Sequence, residues 1–268
     1  MSILKVPGAQ LYYEVSGSGP LLILIPGASG TGESFRPLAR ELIAQYQVVT
    51  YDRRGFSRSS LDGPQDYEHR LETDADDVQR LIEHLTGQPA IVFGNSSGAL
   101  VALEVLIQSP ERVKTVVAHE PPAVSLLPDA TEWWAFFDGV YDTYLKEGIA
   151  KARYQFASGT GIGERQLMER SLTQQTNEYT LSNTRYWMEH ELRQYPRVEL
   201  DLDALAAHAR QLVLAGGRDA QDKLPYQPVS VLARQLGLDV VHFPGGHSGL
   251  RASPTEFAKE LMHALEDD

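Results

Sequence analysis

Ser96 lies in Gly94-Asn95-Ser96-Ser97-Gly98, a G-x-S-x-G pattern. As bare letters this is also a plain glycine-rich turn, and its setting gives it chemical meaning. The run Ala90-Ile91-Val92-Phe93 reads as a buried strand, and Ser97 onward reads as an apolar helix. A serine on a sharp strand-to-helix turn is held exposed at the edge of a sheet, with a helix N-terminus behind it that favours negative charge. Its hydroxyl becomes a competent nucleophile only with a base within hydrogen-bond reach. His247, in Pro244-Gly245-Gly246-His247-Ser248-Gly249, is the candidate base. Glycines on both sides allow that loop to bring an imidazole over the sheet edge. The other seven histidines fall mostly on helices or strands and read as structural.

Attack on a carbonyl also requires donors for the developing oxyanion. One candidate is the backbone N–H of Ser97. The second belongs in the break Pro26-Gly27-Ala28-Ser29-Gly30 that follows the apolar run Leu21–Ile25, where Ala28 takes the expected place.

These residues need a scaffold, and the chain supplies a strand-then-helix alternation. Strands are expected at Gln10–Val15, Leu21–Ile25, Gln47–Tyr51, Ala90–Phe93, Val113–Ala118, Gln211–Ala215 and Asp239–Phe243. Helices are expected from about 33 to 44, 71 to 85, 97 to 108, 225 to 236 and 254 to 265. Continuous apolar strands alternating with helices point to an α/β fold with a parallel sheet covered on both faces. From 121 to 205 no buried strand is expected. That stretch is rich in aromatics, among them Trp133, Phe137, Tyr154 and Trp187, and reads as a helical insertion. The expected organisation is a core of residues 1–120 and 206–268 with a helical cap at 121–205. Trp187 is the cap aromatic expected to face a substrate.

Composition narrows the chemistry. With 268 residues, the chain is long enough for one large domain. The net charge of −12 would repel nucleic acid and anionic membranes. The absence of cysteine excludes disulfides, thiolate metal sites and a thiol nucleophile. No apolar run approaches the roughly 18 residues of a membrane span, and no signal peptide is evident. A cytoplasmic location is expected.

At these motifs the chain resembles the α/β-hydrolase superfamily over nearly its whole length. The segments are Ile25-Pro26-Gly27-Ala28, Tyr51 to Ser59 (YDRRGFSRS), the Ser96 turn, Gly216-Gly217-Arg218-Asp219 and the His247 loop. Pro26 departs from the family's usual His-Gly in the oxyanion turn. Within the superfamily the chain is most similar to the zearalenone lactone hydrolases, through Gly94 to Ala99 (GNSSGA) and His119-Glu120-Pro121-Pro122. The resemblance implies an α/β-hydrolase fold with a mostly parallel eight-stranded sheet, and a serine esterase or lactonase working through an acyl-enzyme.

Two residues compete for the carboxylate that orients His247. The common family position is the loop after Gln211–Ala215, which implies Asp219. The lactone hydrolases place a glutamate after the preceding strand, which implies Glu120. A carboxylate before two prolines at a buried strand end is costly without a partner. Asp222 is a weaker third choice, read as a solvated loop charge. Asp52, Arg53 and Arg54 read as structural, fixing a turn. No metal or organic cofactor is expected. The expected partner is a small-molecule ester or lactone, with no nucleic acid and no membrane, and homodimer assembly is left open. Acyl transfer, perhydrolysis, carbon–carbon bond hydrolysis and a non-enzymatic ligand receptor remain alternatives on the same scaffold.

Overall fold

The computed structural model describes residues 2–162 and 178–266. The chain alternates as the apolar runs require. The strands are β1 (Ser2–Val6), β2 (Ala9–Ser16), β3 (Leu21–Ile25), β4 (Gln47–Tyr51), β5 (Ser60–Leu61), β6 (Ala90–Asn95), β7 (Val113–His119), β8 (Leu212–Gly217) and β9 (Val240–Phe243). The helices are α1 (Arg36–Leu42), α2 (Arg70–Leu85), α3 (Ser97–Gln108), α4 (Ala130–Glu147), α5 (Ile149–Thr160), α6 (Thr180–His190), α7 (Leu202–Ala207), α8 (Tyr226–Leu236), α9 (Gly249–Ala252) and α10 (Pro254–Glu266).

The sheet runs β1-β2-β4-β3-β6-β7-β8-β9, eight strands, with the two-residue β5 added against β2. From β4 to β9 every pairing is parallel, and the β1–β2 and β2–β4 pairs are antiparallel. β1 and β5 are absent from the sequence expectation. β1 is a five-residue edge strand with mostly exposed side chains, and its adjacent Ile3 and Leu4 break the apolar–polar alternation that marks a strand. β5 is too short to carry any.

The period-two alternation of β3 divides the core between the two faces. Ile23 and Ile25 pack with Val92, Val116 and the apolar sides of α2, α3 and α8. Leu22 and Leu24 pack on the other face with Phe93, Val117, α1 and α10. α3 is buried on nearly all sides, from Ser97 through Leu106, because α2 and α7 cover the flank turned from the sheet. A third apolar cluster joins α4, α5 and α6 through Phe137, Val140, Ala152, Trp187 and Met188, with Phe56 and Leu224 reaching in from the sheet-edge loops. Among the described residues no helix is long and apolar enough to cross a membrane.

His119 ends β7 fully buried, with ring centroids 5.4 Å from Phe257 and 5.9 Å from Phe243. Its Nδ1 lies 2.9 Å from Asn95 Oδ1, an acceptor, so Nδ1 carries the proton. Nε2 is buried with no partner. Protonation would place a charge among aromatic rings, and burial pushes this imidazole down to about 4. Above an ordinary histidine pKa of about 6.5, neither folded nor unfolded chain is protonated here and the residue is silent. As pH falls from there toward 4, the unfolded chain gains a proton that the folded one refuses, so stability drops by ~2 kcal/mol at pH 5. Urea unfolding at pH 7 and pH 5 should therefore show a smaller acid-induced loss for His119→Asn than for the wild type, by about that amount.

Candidate active site

Ser96 is the single residue between β6 and α3. Its backbone sits at φ 58°, ψ −126°, a left-handed φ that costs a non-glycine residue ~1–3 kcal/mol and persists only where surroundings enforce it. Those surroundings are tight. The Ser96 N–H donates to His119 O (2.9 Å), and Ala99 N–H donates back to Ser96 O (2.8 Å). A Cβ on Gly94 would lie 2.1 Å from Gly98 O, and one on Gly98 would lie 2.2 Å from Ile25 O. The two glycines of the motif are thus required by backbone crossing close to backbone, which explains their spacing around the serine.

Glu120 follows β7 and has φ 50°. Pro121 disfavours the right-handed helical region at this position, and the Glu120 N–H is fixed on Ala215 O at 2.9 Å. The carboxylate is 1% exposed. Oε1 accepts from Gly217 N–H at 2.8 Å, and Oε2 meets His247 Nδ1 at 2.5 Å. Burial pushes this carboxyl up. The His247 hydrogen bond and charge, then His119 and the Gly217 N–H, outweigh that and hold it below the ordinary carboxylate value. It is therefore an anion at neutral pH, fixed to Nδ1, and it leaves Nε2 as the imidazole nitrogen available to take a proton.

Asp219, the competing carboxylate, does not reach this imidazole. After β8 the chain enters a one-turn 3-10 helix, Arg218–Ala220, pinned by Asp219 N–H on Gly245 O at 3.0 Å. That turn carries the Asp219 side chain to the exposed surface. The Gly217 N–H just before it is already engaged by Glu120. Asp222 is exposed as well.

The turn after β3 presses directly on Ser96: a Cβ on Gly27 would come within 2.9 Å of the serine Cβ. Ala28 follows, half-buried, and Ser97 lies across from it, 4% exposed at the start of α3. Ala28, Ser96, Ser97, Glu120, His247 and Trp187 all line one cavity of about 540 Å³, a size suited to a small organic molecule. The Trp187 indole is 9% exposed and meets Phe156 edge-on at 5.0 Å. With Phe137 and Leu224 it forms the apolar side of the cavity. Among the described residues no three histidine, aspartate or glutamate side chains converge as a metal site.

Asn183, Glu191 and Tyr195 also line the cavity and are not among the site residues expected from the sequence. Glu191 joins Arg53, Arg70 and Asp74 in a buried cluster of two cations and two anions. Its carboxylate takes Arg53 at 2.8 and 3.1 Å and Arg70 at 3.1 Å, while Asp74 takes Arg53 and the Tyr195 hydroxyl. Arg53 is fully buried, and the cluster joins the β4 loop, α2 and the end of α6. Asp52 has its own partners: Arg58, Gly32 N–H and the Thr31 hydroxyl. Both arrangements tie the loop after β4 to its neighbours. Arginines at 53 and 70, 17 positions apart, gave no local sign that their counter-ion lay at 191.

The alpha/beta hydrolase fold family matches residues 20–158. The uncharacterized hydrolase YraK of Bacillus subtilis (strain 168) is 34% identical over 276 residues, covering 99% of this chain and 96% of its own. A zearalenone hydrolase of Bionectria ochroleuca is 33% identical over 117 residues, 43% of this chain and 44% of that one. A solved esterase from Thermogutta terrifontis superposes with a TM-score of 0.77 over 100% of this chain and 99% of its own, at 19% identity. The sheet order, the strand-to-helix serine turn and these matches agree: the chain belongs to the α/β-hydrolase family of enzymes.

Proposed function

We propose that this enzyme is a serine hydrolase that cleaves a carboxylic ester or lactone of a small, largely apolar molecule through a covalent acyl-enzyme. The observation that carries the reading is the shared cavity. Ser96, held at a strained turn, opens into the same space as His247, whose Nδ1 rests on the buried Glu120 carboxylate. The names of the zearalenone hydrolase and the Thermogutta esterase point the same way.

In this mechanism His247 Nε2 takes the proton of the Ser96 hydroxyl as its oxygen bonds to the carbonyl carbon. The carbonyl oxygen becomes an oxyanion, received by the N–H groups of Ala28 and Ser97 at the N-terminus of α3. Collapse breaks the bond to the alkoxy oxygen, and the imidazolium returns the proton to that leaving group. Water then repeats the sequence on the acyl-enzyme, releasing the acid and restoring Ser96. Glu120 stays ionised throughout. It fixes the Nδ1–H tautomer and stabilises the imidazolium. Trp187 supplies apolar wall to the substrate.

Three measurements test this. A fluorophosphonate probe should label the wild type rapidly and leave Ser96→Ala unlabelled. Labelling no faster than that of a free serine would favour a ligand receptor on this scaffold. On an activated ester, Ser96→Ala should lose roughly a thousandfold or more in kcat. On the same substrate Glu120→Gln should lose about 10²–10⁴-fold, since an amide cannot hold the tautomer or the charge, while Asp219→Asn stays within about twofold. Near-wild-type turnover for Glu120→Gln would remove Glu120 from the triad. Product analysis with added alcohols or peroxide separates hydrolysis from acyl transfer and perhydrolysis.

A further inference from the structure

One stripe of α6 faces inward at helical spacing: Asn183, Trp187 and, just past the helix, Glu191. Trp187 lies on the cavity wall, and the two polar residues on either side of it reach the loops around Ser96. The Asn183 carboxamide is 6% exposed and fully engaged. Its Nδ2 donates to Ser29 O at 3.0 Å and to Ser57 Oγ at 2.8 Å, and its Oδ1 accepts from Ser57 N–H at 2.8 Å. Ser57 holds that N–H in place at φ 47°, one of three non-glycine residues with positive φ among the described residues; the others are Ser96 and Glu120. Glu191 acts on the same turn at one remove: it holds Arg53, whose Nη1 donates to Gly27 O at 3.4 Å.

The turn gripped from both sides is Gly27–Gly30, closed on itself by Gly30 N–H to Gly27 O at 2.8 Å. Ala28 lies between the two gripped carbonyls. Ser29 O shares one rigid peptide plane with the Gly30 N–H, and Gly27 O shares another with the Ala28 N–H. The Asn183 bond to Ser29 O therefore holds the plane whose Gly30 N–H in turn holds Gly27 O, and with it the plane that carries the Ala28 N–H.

We infer that Asn183 is a positioning residue that fixes the Ala28 N–H in its oxyanion-binding orientation and so couples the placement of α6 to catalytic competence. The inference rests on the oxyanion role given to Ala28 above. It assigns to the helical segment a function apart from lining the pocket: with α6 displaced, the cavity would lose a wall and one of its two oxyanion donors together. Sub-ångström placement of such a donor matters most in the transition state, where the charge develops.

The test is a comparison of Asn183→Ala with Asn183→Ser, both of which lack the two-donor amide; the serine variant keeps some polarity should the alanine variant fold poorly. Leu181→Ala, an exposed position on the same helix, serves as control. For Asn183→Ala or Asn183→Ser, kcat on an activated ester should fall about 10–100-fold, with KM within about threefold. The Ki of an arylboronic acid, whose serine adduct carries a tetrahedral oxygen, should rise in parallel, and the Ki of a non-reactive amide analogue should hold. Leu181→Ala should leave all four constants unchanged. Unchanged kcat and boronate affinity in both Asn183 variants, or a loss confined to KM, would overturn the inference. If the Ser96→Ala enzyme retains turnover and probe labelling, the failure lies instead with the serine mechanism itself.

Discussion

The buried carboxylate of Glu120 is the constraint on which the rest depends. An anion with almost no exposure is costly unless it is fully partnered. Here the partners are a backbone N–H from the end of β8 and the imidazole of His247, one on each carboxylate oxygen. Together they tie three consecutive strand ends into one unit, because β7 carries the glutamate, β8 carries Gly217, and β9 leads into the His247 loop. Replacing either partner leaves a buried charge partly unmet. The arrangement therefore stabilises the sheet edge and fixes the imidazole's tautomer by the same two bonds.

Backbone strain is concentrated around the same centre. Ser57, Ser96 and Glu120 take left-handed φ angles that side chains disfavour. Each is held by a specific backbone hydrogen bond: Ser57 to Asn183, Ser96 to His119 O, and Glu120 to Ala215 O. The parallel sheet makes this affordable. Its apolar strands are buried on both faces, and their carboxyl ends converge on one rim, where ligands bind in such folds. The helical segment between β7 and β8 is joined to that rim by opposite means at two points, a neutral amide at Asn183 and a four-charge cluster at Glu191.

Much of this was legible in the chain because it depends on local pattern. The Ser96 turn, the turn after β3, the glycine-flanked histidine and each single strand or helix occupy fewer than twenty consecutive residues. α3 was read to its observed ends, and Trp187 is one of the residues that line the cavity. The choice between Asp219 and Glu120 was not legible, since both follow strands ending on the same rim. It turns on which way the chain leaves each strand: the left-handed Glu120 turns its carboxylate inward, and the 3-10 turn at 218–220 carries Asp219 outward. The Arg53–Glu191 pair and the Asn183 grip span 138 and 154 positions. Contacts that distant leave no periodicity to read, and β1 was missed because its five residues, with Ile3 on the exposed side, are too few to set an alternation.

The most direct test is the crystal structure of the enzyme trapped with an organophosphonate that mimics the tetrahedral intermediate. The account predicts a covalent bond from phosphorus to Ser96 Oγ. It also predicts the phosphoryl oxygen within hydrogen-bond distance of the Ala28 and Ser97 N–H groups, and His247 Nδ1 still on Glu120. A phosphonate bonded elsewhere, a phosphoryl oxygen turned away from both N–H groups, or an imidazole paired with Asp219 instead would contradict it.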